Sequence, residues 1–278
     1  MKTILKSLAL GLCTSIAALP ALAETTLEKI RREGVITVGT EAAFPPFEYV
    51  ENGQIVGYGR DILNVVVAEL GVELRQLDLP FQGILPGLLA GNFDLVATSL
   101  GINEERATRY AFTAPIIDAV PAVLNRKGET VTSLDELAGK VVATQLASNF
   151  EPIVRDLDAN LTAEGKGFGE LKLYTAFPDA YMALASGEVD AVIQNRPALA
   201  VLVKERPDVF DLGADVRSEG QYTHFAWATR AEDKDLRDFV SSVIYAMQED
   251  GRLQELQMKW FGATFEIPKE GYLPPGAQ

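Results

Sequence analysis

Residues 89–96, LAGNFDLV, and residues 185–192, ASGEVDAV, decide the fold. Each stretch ends a predicted helix at a glycine, passes through a short turn and begins a predicted strand, and Asp94 of the first corresponds to Asp190 of the second. Glycine is favoured at the left-handed residue that follows a helix. The repetition predicts two similar α/β units in one chain.

A second pair of stretches repeats in the same order. Residues 35–40, VITVGT, match residues 140–144, KVVAT, and each stretch ends in a threonine. Between these pairs, short β-branched runs alternate with helical patterns, which is typical of α/β proteins. The sequence therefore predicts two α/β lobes, each with an early strand and a later strand that follows a helix.

The remaining predicted elements complete this pattern. Pro86 argues against an unbroken second helix, because proline lacks the N–H that a helix interior needs. Ser133 opens a capping box for a short helix that ends at Gly139. The predicted strands are 35–40, 93–99, 141–144 and 189–194, and the longer predicted helices are 61–70, 82–90, 178–186 and a C-terminal pair that packs on the first lobe.

Four polar or aromatic patches follow predicted strands. In open α/β sheets, ligands bind just beyond the carboxyl ends of the strands. If the two lobes face each other, all four patches line one cleft. The patches are Glu41–Phe44, Ser99–Arg106, Gln145–Asn149 and Gln194–Asn195.

The N-terminus has the pattern of a secretory signal peptide. Lys2 and Lys6 precede an apolar run, Leu8–Leu19, that is too short to span a bilayer, and Ala21-Leu22-Ala23 supplies the small-residue cleavage site. The pattern predicts a mature chain that begins at Glu24. A buried N-terminal helix is the alternative.

Composition excludes several functional classes. The chain carries 25 basic and 39 acidic residues, a net charge of −14, so nucleic acid is not an expected partner. The one cysteine, Cys13, lies in the predicted signal, which predicts a mature chain without disulfides. With His224 as the one histidine, we expect no metal site, and core or hinge packing for that side chain.

Six motifs in order give the chain a resemblance to the periplasmic amino-acid-binding proteins of ABC transporters, the family 3 solute-binding proteins. The first contains the sequence GTEAAFPPFE. The resemblance covers nearly the whole predicted mature chain. The motifs are Gly39–Glu48, Phe81–Pro86, Asn103–Arg106, Ser133–Lys140, Asp190–Val192 and Lys259–Gly262.

The resemblance implies a type II periplasmic-binding-protein fold, with two α/β lobes joined by two crossing strands and a ligand cleft between them. We expect lobe 1 to comprise residues 24–117 and 222–278, and lobe 2 residues 118–221. The expected hinges are Pro115–Val120 and Gly220–Thr223. Closure of the cleft on its ligand would present the protein to a membrane permease.

The implied function is capture of a small amino-acid-like zwitterion in the periplasm for an ABC uptake permease. The resemblance implies no cofactor and no enzymatic activity, and we expect a monomer. A cyclohexadienyl-dehydratase-like enzyme on the same fold is the main alternative. A sensory module built from the same lobes is another.

Arg106 is the foremost candidate for ligand binding. Its planar, permanently charged fork suits a carboxylate, and the resemblance assigns this position to the ligand carboxylate. Backbone N–H groups near Ser99 and Gly101 are candidate additional donors, and Asn103 is a candidate helix cap. The alternative is a surface arginine paired with a neighbouring glutamate.

The other candidate ligand-binding residues are polar groups and aromatic walls. Ser148 and Asn149 begin a helix after the first strand of lobe 2, where they can contact the carboxylate, cap the helix, or do both. Phe44 and Phe81 are candidate walls that shield the ligand, with core packing as the alternative for each. Phe47 is expected in the core.

Three positions depart from the family pattern. The usual aspartate for the ligand ammonium is Asn195 here, the aspartate after the first strand is Glu41, and a serine or threonine is Gly101. Asn195 brings no negative charge. The ligand is therefore either an amino acid whose ammonium meets Glu41, or a derivative such as an opine or a cyclic zwitterion.

Overall fold

The computed structural model describes residues 24–217 and 221–277. The predicted signal peptide and the hinge residue Gly220 lie outside these ranges. The strands are β1 (Val35–Thr40), β2 (Ala43–Phe44), β3 (Glu48–Glu51), β4 (Gln54–Val56), β5 (Glu73–Asp78), β6 (Leu95–Gly101), β7 (Tyr110–Asp118), β8 (Pro121–Arg126), β9 (Val141–Gln145), β10 (Glu170–Tyr174), β11 (Ala191–Asn195), β12 (Phe210–Asp215) and β13 (His224–Arg230).

Helices alternate with these strands. A capping box at Ser133 opens a short 3₁₀ helix, Leu134–Leu137, as predicted. The α-helices are α1 (Thr26–Glu33), α2 (Tyr58–Leu70), α3 (Phe81–Leu89), α4 (Glu104–Ala107), α5 (Phe150–Ala163), α6 (Phe177–Ser186), α7 (Arg196–Glu205), α8 (Lys234–Glu249) and α9 (Arg252–Phe261).

Two five-stranded sheets with the same plan form the two lobes. The first has the order β5-β1-β6-β13-β7 and the second β10-β9-β11-β8-β12. In each, three parallel strands are followed by one antiparallel neighbour, β13 in the first and β8 in the second. This arrangement confirms the predicted pair of similar α/β lobes.

The chain passes between the sheets twice. It leaves the first sheet after Asp118 and returns at His224, and these two residues face each other in the ladder between β7 and β13. The N–H of Ala119 donates a 2.7 Å hydrogen bond to the carbonyl of Thr223, which ties the two crossings together. The residue at which each lobe begins stays a prediction.

The repeated aspartates have the same structural role in both lobes. A carboxylate oxygen of Asp94 accepts a 2.9 Å hydrogen bond from the N–H of Thr37, and one of Asp190 accepts an equal bond from Val141. Each aspartate thus fixes the turn that precedes its strand to the start of the neighbouring strand. The strands therefore begin after these turns, and the predicted boundaries 93–99 and 189–194 are too early.

The repeated threonines match as well. The hydroxyl of Thr40 donates a 2.9 Å hydrogen bond to the carbonyl of Ala97, and the hydroxyl of Thr144 donates one of the same length to Ile193. Each bond links the end of β1 or β9, which are equivalent strands, to the strand beside it. Equivalent residues of the sequence repeat therefore make equivalent hydrogen bonds in the two lobes.

Two helices bear on the predictions directly. Helix α3 continues through Pro86, whose carbonyl accepts a hydrogen bond from Ala90 in the last turn, so the proline does not break it. Helices α8 and α9 both contact α2, and α8 also covers β7, which confirms that the C-terminal pair packs on the first lobe. No helix in the described ranges is long and apolar enough to cross a membrane.

Candidate functional site

The carboxyl ends of the central strands of both sheets enclose a small cavity, which we call the inner cavity. It has a volume of about 10 Å³. Phe150 and Phe225 line it and were missed by sequence reasoning, whereas Gln145 belongs to a patch that was predicted to line the cleft. Six predicted site residues also line it: Glu41, Phe44, Phe81, Ser99, Ser148 and Asn149.

Glu41 follows β1 and is only 4% exposed. Its carboxylate accepts a 2.5 Å hydrogen bond from Nε2 of Gln145, which lies in the other lobe. Burial raises the pKa of Glu41 to about 7, against the lowering effect of the Gln145 amide, and the nearby carboxylate of Asp78 raises it further. This carboxyl group is therefore poised to ionise beside a cation.

Glu48 is fully buried beneath the inner cavity and organises Ser99. The N–H and the hydroxyl of Ser99 donate hydrogen bonds of 3.2 and 2.9 Å to the Glu48 carboxyl group. Burial raises the pKa of Glu48 to about 8, although both bonds from Ser99 lower it. The N–H of Ser99, which was predicted to donate to the ligand, thus donates to Glu48 within the same lobe.

Gly59 makes room for Glu48. A Cβ atom on Gly59 would lie 1.9 Å from a Glu48 oxygen, so any side chain at this position would force the Glu48 carboxyl group to move. The buried carboxyl group therefore depends on a glycine on the helix that covers it.

Arg106 is not among the residues that line the inner cavity, and its side chain is buried, with the residue 7% exposed. In the described part of the chain its guanidinium donates to two backbone carbonyls and to no carboxylate: Gly101 at 2.8 Å and, across the cleft, Ala147 at 2.9 Å. It also lies over the ring of Phe81, 5.7 Å from the centroid. Burial lowers its pKa to about 10. Arg106 is therefore not a surface arginine paired with Glu104 or Glu105.

The predicted cap of the short helix α4 is present. The Oδ1 atom of Asn103 accepts a 2.8 Å hydrogen bond from the N–H of Arg106. Because the helix has only four residues, this cap fixes the backbone from which Arg106 projects.

Gly101 and Asn149 meet across the cleft. A Cβ atom on Gly101 would lie 2.1 Å from Cγ of Asn149. The departure from serine or threonine at this position therefore has a physical reason, since the Asn149 side chain occupies the space that a side chain at 101 would need.

Ser148 provides the polar contact at the start of α5. Its hydroxyl donates to the carbonyl of Gln145 at 2.7 Å and accepts from the N–H of Phe150 at 3.2 Å. The Asn149 side chain makes no capping hydrogen bond, so the helix-cap interpretation is wrong for Asn149. Its side chain contacts the opposite lobe.

Aromatic rings from both lobes close the inner cavity. Phe44 stacks on Phe177 of the second lobe with ring centroids 5.6 Å apart, and Phe150 contacts Phe225 at 6.2 Å. Phe44 also stacks on Phe47, which is fully buried, as expected of a core residue. Phe44 is therefore both a wall of the cavity and part of the core.

Asn195 and His224 lie away from the inner cavity. Oδ1 of Asn195 accepts a 2.9 Å hydrogen bond from Ala198 and caps α7, so this side chain is not among the lining residues. His224 is half-buried at the crossing beside Asp118, and burial lowers its pKa. The described residues contain no group of three or more potential metal-ligating side chains.

The sequence is similar to those of known proteins. Residues 36–263 match the model of the bacterial extracellular solute-binding proteins, family 3. The L-cystine-binding protein TcyJ of Escherichia coli K12 is 30% identical over 243 residues, covering 86% of this chain and 87% of the relative.

Solved structures of similar proteins share the fold. An amino acid ABC transporter substrate-binding protein of Streptococcus pneumoniae, bound to L-arginine, has a TM-score of 0.76 and 29% identity, covering 86% of this chain and 99% of its own. The ancestral amino acid-binding protein AncCDT-1, a precursor of cyclohexadienyl dehydratase, has a TM-score of 0.74 and 26% identity, covering 85% and 100%. The match to the family model spans most of the chain, and the chain therefore belongs to the family 3 bacterial extracellular solute-binding proteins.

Proposed function

We propose that this protein captures a small amino-acid-like zwitterion between its lobes and delivers it to an ABC uptake permease. Membership of the family and the similarity to binding proteins for cystine and arginine support the proposal. Export through the N-terminal signal and action as a periplasmic monomer belong to the same proposal.

The observation that carries it is the pairing of opposite charges at the cleft. Arg106 is buried with no carboxylate partner in the described chain, and Glu41 is buried with only an amide as partner. A buried charge without a counter-ion is costly. A zwitterion that spans the cleft supplies a counter-ion to each group at once.

The arrangement assigns an orientation to the ligand. Its carboxylate would take the guanidinium N–H that now bonds to Ala147, and its positive group would take the Glu41 oxygen that now bonds to Gln145. Asn195 caps α7 and brings no charge, so Glu41 is the acidic partner we assign to the ligand's nitrogen. Either a plain amino acid or an N-substituted one satisfies this.

Entry of the ligand requires the lobes to part. The inner cavity has room for little more than a water molecule, and aromatic stacking between the lobes must separate to admit an amino acid. A ligand that contacts both lobes then favours the closed form through its differential contacts. We propose the crossings at Asp118 and His224 as the hinge.

A binding panel tests the proposal. We expect one or more amino acids, opines or cyclic zwitterions to raise the melting temperature of the purified protein, since a ligand at about 100 times its Kd adds about 2.7 kcal/mol of stability. Deletion of the gene should abolish uptake of that same solute. Absence of any stabilising amino-acid-like compound would contradict the proposed function.

The dehydratase alternative is favoured by one observation. Glu41, a buried carboxyl group with a raised pKa that lines the inner cavity, is the kind of group that acts as a general acid near neutral pH. Incubation of the purified protein with prephenate and arogenate decides between the functions, because a binding protein leaves both compounds unchanged.

A further inference from the structure

A second cavity opens on the outer side of Arg106, and we call it the outer cavity. Its volume is about 610 Å³. Phe81 and Ser148 line both cavities, so the two adjoin at these residues. The outer cavity is within the usual size range of small-molecule sites, whereas the inner cavity holds about one water.

Positively charged side chains dominate one wall of the outer cavity. Arg106 and Arg109 project from α4 and from the turn after it, and each lies over an aromatic ring, Phe81 at 5.7 Å and Tyr110 at 5.8 Å. Stacking holds a guanidinium flat and leaves the N–H groups at its edge able to bind an oxyanion, which at Arg106 must replace the carbonyl of Ala147.

Glu105 lines the same wall and its charge acts on Arg106, but in the described chain it makes no hydrogen bond to either arginine. Arg106 donates only to backbone carbonyls in the described chain, and the contact between Arg109 and Glu105 is 4.0 Å long. By contrast Arg155, on the opposite wall, is bound by Glu151 through two hydrogen bonds of 3.0 and 2.8 Å. The unsatisfied positive charge is therefore on the Arg106 side.

Apolar side chains line much of the remaining wall, beside Gln82 and the ion pair of Glu151 and Arg155. Leu85, Pro86 and Leu89 from α3 face Pro152 from α5 across the cavity. Leu89 is 44% exposed, which is high for a large apolar side chain. An apolar linker would cover this surface on its way from Arg106 to Arg109.

We propose that the outer cavity binds the second half of an elongated ligand, an amino acid that carries a second carboxylate on an apolar linker. One carboxylate binds Arg106 at the junction of the cavities, and the other binds Arg109. This inference rests on the proposed function and narrows its ligand class to amino acids with two acid groups.

The test compares ligands that differ in the second acid group. L-2-Aminopimelate is paired with L-2-aminoheptanoate, and L-2-aminosuberate with L-2-aminooctanoate, in calorimetric titrations of the full chain. In at least one pair we expect the two-acid compound to bind roughly tenfold more tightly. Arg109→Gln should weaken that compound by roughly three- to tenfold and leave its one-acid counterpart unchanged.

Two further variants separate recognition from stability. Arg31→Gln is the matched control, because Arg31 also lies over an aromatic ring, Phe239 at 5.4 Å, but on the distant helix α1. It should alter neither affinity. Leu89→Trp narrows the outer cavity from its exposed edge and should weaken only the two-acid compound.

The failures are distinguishable. This inference is overturned if the one-acid compounds bind as tightly as the two-acid compounds in both pairs. It is also overturned if Arg109→Gln weakens the affinity for both compounds of a pair equally. Either result leaves the proposed function standing. If no amino-acid-like compound binds at all, the proposed function fails and this inference fails with it.

Discussion

Glu41 and Gln145 are joined by a 2.5 Å hydrogen bond across the cleft, although they lie 104 residues apart and in different lobes. Each directly follows one of the two equivalent threonines, Thr40 and Thr144, so they are equivalent positions of the internal repeat. Because the two residues belong to different lobes, their bond breaks when the lobes part.

Removal of this bond should open the cleft. In Gln145→Ala the buried carboxyl group of Glu41 loses its one amide donor, which favours its exposure to water. Without added ligand, small-angle scattering should give a larger radius of gyration for this variant than for the parent chain. Gln76→Ala is the control, because Gln76 also donates an amide hydrogen bond, to Thr40, but within one lobe. A radius unchanged in Gln145→Ala would argue against the bond as a closing contact.

Closure without ligand should weaken as pH rises. Glu41 titrates near 4.5 when exposed and at about 7 in the closed form, so between these values the closed form binds more protons than the open form. The closed form therefore loses stability relative to the open form over that range. Scattering at about pH 5 and about pH 8 should show the more compact chain at the lower pH.

Two variants test whether Glu41 causes this pH effect. Glu41→Gln should remove the difference in compactness between the two pH values. Glu48→Gln should keep it, because Glu48 is buried within one lobe beneath Ser99. In the parent chain the melting temperature should fall as pH rises from 4.5 to about 8, because the buried Glu48 must ionise. In Glu48→Gln this fall should be smaller. If the radius of gyration of Glu41→Gln changed with pH as much as that of the parent chain, Glu41 would not be the group that causes the effect.

Gly101→Ser should impair closure. The new side chain would overlap Asn149, and overpacking of this kind costs about 1–3 kcal/mol. Ligand affinity in calorimetric titrations should fall by roughly tenfold or more. The double variant Gly101→Ser with Asn149→Ala should recover much of this loss. A loss that Asn149→Ala does not relieve would mean that Gly101 acts through some other contact.

Arg106→Ala should cost about 2–5 kcal/mol of ligand affinity, since a desolvated carboxylate would lose its charged partner. Arg106→Lys keeps the charge but not the paired N–H groups, so it should bind with intermediate affinity. Calorimetric titration measures both, with Arg31→Gln as the control. Equal affinities in all three variants and the parent chain would remove Arg106 from the site.

Much of the fold could be predicted because its signals are local. The turns at Asp94 and Asp190 lie between a helix-ending glycine and a strand, and the internal repeat made them visible twice. The strand ends were less predictable, because pairing with β13, which is remote in sequence, extends β6 to Gly101.

The site was harder to predict where it depends on contacts between distant segments. Phe150 and Phe225 reach the inner cavity from separate elements and carry no motif of their own. Gln145 did have a signal, since the repeat places it opposite Glu41. The hydrogen bonds from Ser99 to Glu48 could not be predicted, because they join two residues 51 positions apart that meet only in the folded lobe.

A crystal structure with the tightest-binding compound from the panel tests the central claim most directly. We expect one ligand carboxylate within hydrogen-bonding distance of both terminal nitrogens of Arg106, in place of the Ala147 carbonyl, with both lobes closed around the ligand. A bound ligand that leaves the Arg106 bonds to Gly101 and Ala147 intact, or that lies outside the cleft, would contradict the account.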